Sequence, residues 1–213
     1  MSSALWLSFQ TTTLAFVLLL LIGVPLGFWL ARYDFRGKLL LDTLVNLPLV
    51  LPPTVVGYGL LLLLGRSGPL GADLAFTWTA AAIASAVMGL PLTVNAARIG
   101  FASVDSRLEN AARTLGAGSM RVFWRITLPL AKRGVAAGLL LGTLRALGEF
   151  GATVLVAGNI PGRTQTMPLA IYDAVQRSDY RSANLMAGVM VGLAVVGLVI
   201  VRALERPPPA AGR

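Results

Sequence analysis

The sequence predicts an all-α fold, a polytopic membrane bundle of about five transmembrane helices with one long, polar, helical loop. Three observations predict it. Of the 213 residues, 56% are hydrophobic and only 13% are charged, whereas a soluble domain carries about 25% charged residues; the mean hydropathy is +0.76. The apolar residues fall into five runs, each long enough for the roughly 17–25 helical residues that a bilayer core requires. A polar and basic segment, LENAARTLGAGSMRVFWRITLP at 108–129, separates the third run from the fourth.

The first run, 7–30, has no Lys or Arg before it. It is also much longer than the roughly 7–15 residues of a signal-peptide core, so it reads as a span. The second, 40–64, contains Pro48, Pro52 and Pro53. Each proline removes a backbone donor and disturbs the preceding turn, and in a membrane such breaks persist only where protein or a water-filled cavity satisfies the freed groups. This run is predicted to bend, either as a packing kink or around a translocation path. The third run, 74–94, has Pro91 near its end, and the fourth, 135–157, has Gly138 and Gly142 for close helix approach. Arg145 and Glu149 lie four apart in the fourth run and so share a helix face. A charge pair at that depth faces the protein interior or a cavity. Residues 158–166, GNIPGRTQT, read as a loop turning at Pro161-Gly162, with Asn159, Thr164 and Thr166 as neutral hydrogen-bonding groups or as parts of a plain connector. The fifth run is 183–201. Residues 1–206 read as one domain and 207–213 as a short disordered tail.

Orientation follows from the basic residues. Thirteen of the eighteen Lys and Arg lie in the segment after run 1 (Arg32, Arg36, Lys38), in 98–133, and in the tail. Four lie on the opposite side, at Arg66, Arg163, Arg177 and Arg181, and Arg145 is inside run 4. The positive-inside rule then places the N-terminus outside and both the 98–133 loop and the C-terminus in the cytoplasm.

Within that loop, Ser106 and Glu109 have capping-box spacing. A helix of about 107–115 is predicted, ended by Gly116-Ala117-Gly118, because glycine reaches left-handed conformations cheaply. Ser119 then caps a second helix of about 120–127 before Pro129. The product is two helices with small residues at the bend, either a docking element or an amphipathic loop lying on the membrane surface with Arg113, Arg121 and Arg125 in the headgroups.

Composition also excludes. The chain has no Cys and no His, so disulfides, the usual zinc, haem and iron–sulfur ligands, and imidazole acid–base chemistry are all missing. The net charge of +9 sits in short loops between spans, which suits anionic lipid headgroups and not nucleic acid. No Walker-type phosphate loop is present. No cofactor is expected.

The spacing of Glu109, Ala111, Ala112 and Gly116, followed by Ile126, Leu128 and Pro129, resembles the cytoplasmic signature loop of ABC-importer permeases. LPLVLPPTVVGY at 47–58 and RALGEFGATVLVAGNIPGRTQTMPLAIY at 145–172 resemble the molybdate, tungstate and sulfate group of that family. The short chain and five spans fit its molybdate branch; sulfate permeases of the group are generally longer and carry an extra N-terminal span. The general family pattern has its Glu six residues before the Gly, where this chain has Asn110; Glu109 follows the oxyanion form E-x-A-A-x-x-L-G-A.

The resemblance implies a transport subunit, with ATP hydrolysis on a separate chain. It implies ATPase docking through Glu109, Ala111, Ala112, Leu115, Gly116 and Ala117, with Glu109 either contacting the partner or capping its own helix. It implies a translocation path near Arg145, Glu149, Thr153 and Asn159, where Arg145 either lends positive potential to an anion route or belongs to an internal salt bridge. The implied partners are two ATPase subunits, an extracytoplasmic oxyanion-binding protein, a second copy of this chain and membrane lipids. Tungstate or sulfate as cargo is the alternative within the group. A membrane-embedded lipid enzyme is the remote alternative, and the missing His, Cys and clustered carboxylates speak against it.

Overall fold

A computed structural model describes residues 2–66, 68–69 and 73–205; the tail expected at 207–213 lies outside them. Among the described residues every regular element is helical. Helix α1 is Ser2–Arg32, α2 Lys38–Val50, α3 Pro53–Leu64, α4 Trp78–Ala102, α5 Ser106–Thr114, α6 Ser119–Leu147, α7 Gly151–Ala157, α8 Met167–Gln176 and α9 Tyr180–Glu205. Three of them, α1, α4 and α9, are each long and apolar enough to cross a membrane, and the number is five if the bent pairs α2–α3 and α6–α7 each make one span.

The breaks follow from the sequence. Leu51 precedes Pro52, and the residue before a proline is pushed out of the helical region. Leu51 and Pro52 are both extended, and Pro53 then opens α3, where a missing N–H costs nothing. The second run therefore bends by 118°, far more than a packing kink. The fourth run bends by 61° after Leu147.

Pro48 and Pro91 lie inside α2 and α4 without breaking them, and two more prolines sit just after π-helical turns. Pro25 in α1 follows a π-helical turn at Leu19–Gly23, and Pro129 in α6 follows one at Phe123–Thr127. A proline ring clashes with the carbonyl four residues back and cannot donate to it. A wider π turn just upstream moves that carbonyl aside, so each helix continues. The second loop helix and the fourth span, expected to be separate, are consequently one helix, α6.

The core is α4 packed on α6. Gly134, Gly138 and Gly142 form a ridge on α6 that meets Gly100, Ala96, Ala97, Thr93 and Gly89 of α4. A Cβ on Gly138 would lie 2.6 Å from that of Ala96, so the two backbones are almost in contact. Thr93 donates from its hydroxyl to the Gly138 carbonyl at 3.3 Å across this seam. Leu19 of α1 reaches the same level. On the other flank, Gly57 of α3 packs against the backbone of Ala152 in α7, whereas a Cβ on Gly59 would meet nothing.

One element was not expected. Thr166, Met167 and Pro168 start the ten-residue helix α8, with Pro in its first turn. Met167 N donates to Ser8 Oγ at 2.7 Å, and Ala170 and Ala174 pack with Ala4, Ala183 and Met186. This ties the start of α1 to the start of α9 at one end of the bundle. Arg32, at the other end of α1, meets the polar loop.

Candidate functional site: the polar loop and the charged break in the fourth run

Asp105, not Ser106, caps α5: its carboxylate accepts from Arg107 N at 2.8 Å. A charged oxygen at a helix N-terminus also meets the positive end of the helix dipole, so aspartate prevails over the adjacent serine. At the other end, Gly116 has φ +86°, its N–H bonds the Arg113 carbonyl, and Ala117 N–H bonds the Ala112 carbonyl. This is a Schellman motif, and it explains the small residues there. Gly116 must be left-handed, and Ala112 and Ala117 are the pair the motif brings together.

Leu108, Ala111, Ala112 and Leu115 recur at helical spacing on one face of α5. Leu108, Ala111 and Leu115 are exposed, Leu115 to 89%. Nothing lies within 4 Å of a Cβ built on Gly116 or Gly118. The tip is thus an unpartnered, mostly apolar knob on a short, well-capped helix. Met120 and Trp124 on α6 are exposed beside it.

Glu109 points the other way. It is 7% exposed, its Oε1 lies 2.7 Å from Arg32 Nη2, and it accepts from Thr127 Oγ1 at 2.6 Å. Arg32 Nη2 also points at the Val104 carbonyl, 3.5 Å away. The capping-box role for Glu109 is therefore replaced by a long-range ion pair. Arg32 and Thr127 were not singled out in the sequence; Arg32 figured there only as one of the loop charges.

At the break in the fourth run, Arg145 Nη1 lies 2.6 Å from Glu149 Oε2, and the Glu149 side chain is 1% exposed. Glu149 Oε1 accepts from Ala152 N at 2.9 Å, so the same carboxylate caps α7. The pair bridges the end of α6 and the start of α7. Thr153 Oγ1 and Asn159 Oδ1 are buried without a hydrogen-bond partner among the described residues. The loop beyond them is self-contained: the N–H groups of Arg163, Thr164 and Gln165 converge on the Ile160 carbonyl, and Thr164 Oγ1 accepts from Ile160 N at 3.0 Å. Thr164, read in the sequence as a neutral hydrogen-bonding group or part of a plain connector, is buried within its own loop.

A further polar strip has no local signal in the sequence, because Asp42 and Asn46 lie in run 2 and their partners Asn95 and Arg98 just past run 3. Arg98 of α4 meets Asp42 of α2 at 3.1 Å, and Asn95 donates to Asn46 Oδ1 at 2.7 Å.

Residues 23–206 match the family described as binding-protein-dependent transport system inner membrane component. The chain is 45% identical over 212 residues to the molybdenum transport system permease protein ModB of Escherichia coli, covering 95% of this chain and 93% of that one. It is 45% identical over 177 residues to a putative molybdenum transport system permease protein, YvgM, of Bacillus subtilis, covering 79% and 78%. It is 36% identical over 192 residues to the sulfate transport system permease protein CysW of Synechococcus elongatus, covering 87% of this chain but only 67% of that longer one. Its fold superposes on a chain of the MetNI methionine ABC transporter in an inward-facing conformation with a TM-score of 0.70, at 17% identity and 95% coverage of both chains. With an all-helical bundle, a capped polar loop and a match over most of its length, the chain belongs to the binding-protein-dependent ABC-transporter permeases, the inner-membrane components of these systems.

Proposed function

We propose that this chain is the membrane-spanning subunit of an ATP-driven importer that carries molybdate into the cytoplasm. The observation that carries the reading is the exposed, self-capped tip of α5, built of Ala111, Ala112, Leu115, Gly116 and Ala117. A knob with no partner in its own chain suits a groove on another, and the identity to molybdenum permeases supports the cargo.

In this reading residues 1–206 form one permease domain, and the 98–133 loop faces the cytoplasm with the N-terminus outside. Two copies of the chain enclose one path, each docks one ATPase subunit, and an extracytoplasmic binding protein delivers the oxyanion. ATP binding draws the two ATPase subunits together, the docking helices follow, and the spans switch between inward-facing and outward-facing states; hydrolysis resets them. The permease is a two-state element biased by the ATPase inside and the loaded binding protein outside. Arg145, Glu149, Thr153 and Asn159 lie beside the outer part of the path, where the partly exposed Arg145 guanidinium contributes positive potential. Arg121, Trp124 and Arg125 meet lipid headgroups.

The test is uptake of labelled molybdate in cells lacking their own molybdate and sulfate importers, with the cognate ATPase and binding protein co-expressed. ATP-dependent uptake blocked by tungstate but not by excess sulfate is the expected result. Uptake abolished by sulfate moves the chain to the sulfate branch, towards which the 36% identity to CysW points. No uptake of either overturns the cargo.

A further inference from the structure

We propose that Arg32, Glu109 and Thr127 form an internal clamp that makes the docking helix, the cytoplasmic end of the first span and the base of the fourth span move together. The proposal rests on the importer reading above and deepens it, by assigning how motion leaves the docking helix.

Three elements meet at one carboxylate. Glu109 is on the inner face of α5, opposite Leu108, Ala111 and Leu115. Its Oε1 takes a charge-assisted bond from Arg32 on the last turn of α1 and a hydroxyl bond from Thr127, the last residue of the π turn in α6. The partners are 77 and 18 residues away in sequence, so the clamp joins segments that no local bond connects. Phe28 of α1, Phe101 of α4 and Phe123 of α6 lie against it, with ring centroids 5.1 Å apart for Phe28–Phe101 and for Phe28–Phe123.

A groove of about 710 Å³ runs between α1 and the loop, lined by Val24, Phe28, Arg32, Glu109, Phe123 and Thr127 among others. The docking helix is therefore not fully packed against the bundle, and the clamp is a direct polar link across the gap. Arg32 Nε is buried without a partner among the described residues, and Nη2 bonds Glu109 and the Val104 carbonyl in the turn between α4 and α5. A pulled α5 draws α6 through the short turn at 115–118, whereas α1 is joined to it across the groove by this link. Glu109 and Arg32 are positioning residues in this scheme, not contacts for the ATPase.

The assay uses the complete complex with its ATPase and binding protein, reconstituted in vesicles, and reads molybdate uptake per ATP hydrolysed alongside co-purification of the ATPase. Glu109→Gln and Arg32→Gln are each expected to lower uptake per ATP about tenfold, a typical coupling loss, with co-purification unchanged. The double variant is expected to be no worse than either single one, since both remove the same link. Thr127→Val, which keeps the ion pair, is expected to give a smaller loss, and it carries the test should either charge variant fail to fold. An unchanged ratio, additive losses, or co-purification falling in step with uptake would each overturn the clamp; the last would make Glu109 an ATPase contact. A wild-type complex that transports nothing would overturn the importer reading and the clamp with it.

Discussion

Glu149 shares its two oxygens between Arg145 and the first turn of α7. Removing Arg145 leaves a carboxylate of 1% exposure unpaired within a membrane segment. Arg145→Ala is expected to lower stability by about 3–5 kcal/mol, read as thermal unfolding of the solubilised permease. Normal stability with lost uptake would instead place Arg145 in the path alone. Gly116 makes the opposite prediction. Its φ of +86° excludes a β-branched residue without strain, yet no atom crowds it. Gly116→Val is expected to abolish ATPase association while the bundle's unfolding temperature stays within a few degrees, because the strain stays in an exposed tip. The Arg145–Glu149 pair was legible in the sequence, since an i, i+4 spacing is a local rule. The Arg32–Glu109 pair was not, since nothing local relates residues 77 apart. Local chemistry also misled at the cap, where Ser106 fitted the capping-box pattern but Asp105 one residue earlier holds the bond.

The apolar runs reported where helices lie but not how they join. Run 2 holds enough prolines to announce a break, yet its size of 118° depends on α3 finding α7, where Gly57 fits against Ala152. Pro129 reads in sequence as a boundary, but the π turn before it keeps α6 whole. Helix α8 is too short to register as an apolar span, although Thr166-Met167-Pro168 is a serviceable start signal. Gly138 and Gly142 were legible as small residues at four-residue spacing; their partners on α4 were not. A methyl on Gly142 would overlap the Thr93 hydroxyl and approach the Gly89 carbonyl to 2.8 Å. Gly142→Ala is expected to cost about 1–3 kcal/mol by overpacking, lowering the unfolding temperature of the purified permease. The same change at Gly59, where a Cβ meets nothing, is expected to be nearly silent.

Across the whole molecule, charge and apolar surface are distributed unevenly. Arg32, Arg98 and the basic loop residues gather at the end opposite Ser8 and α8. The placing of Lys and Arg along the sequence already carries this asymmetry, and the fold collects it on one end. Leu193, Val195, Val196, Val199 and Ile200 on α9, and Leu20, Leu21 and Ile22 on α1, are exposed; in the proposed importer, lipid and a second copy of the chain share these faces. Two copies per complex are expected, with the mass of the intact transporter in native mass spectrometry as the measurement; a single copy would overturn the paired path. The sequence does not separate the two kinds of face, because a lipid-facing and a subunit-facing surface have the same apolar composition.

The unbroken course of α6 has a mechanical consequence. From Ser119 in the loop to Leu147 deep in the bundle it is one rod, about 43 Å long at 1.5 Å per residue. A tilt of about 5° at one end displaces the other by about 4 Å over that length. The rod's only sharp bend lies at its far end, at Gly148–Phe150, where Glu149 straps it to α7. In the proposed importer, a stroke at the Ser119 end of this rod is therefore handed on as a lever's swing to the break at Gly148–Phe150, where the next helix is strapped on.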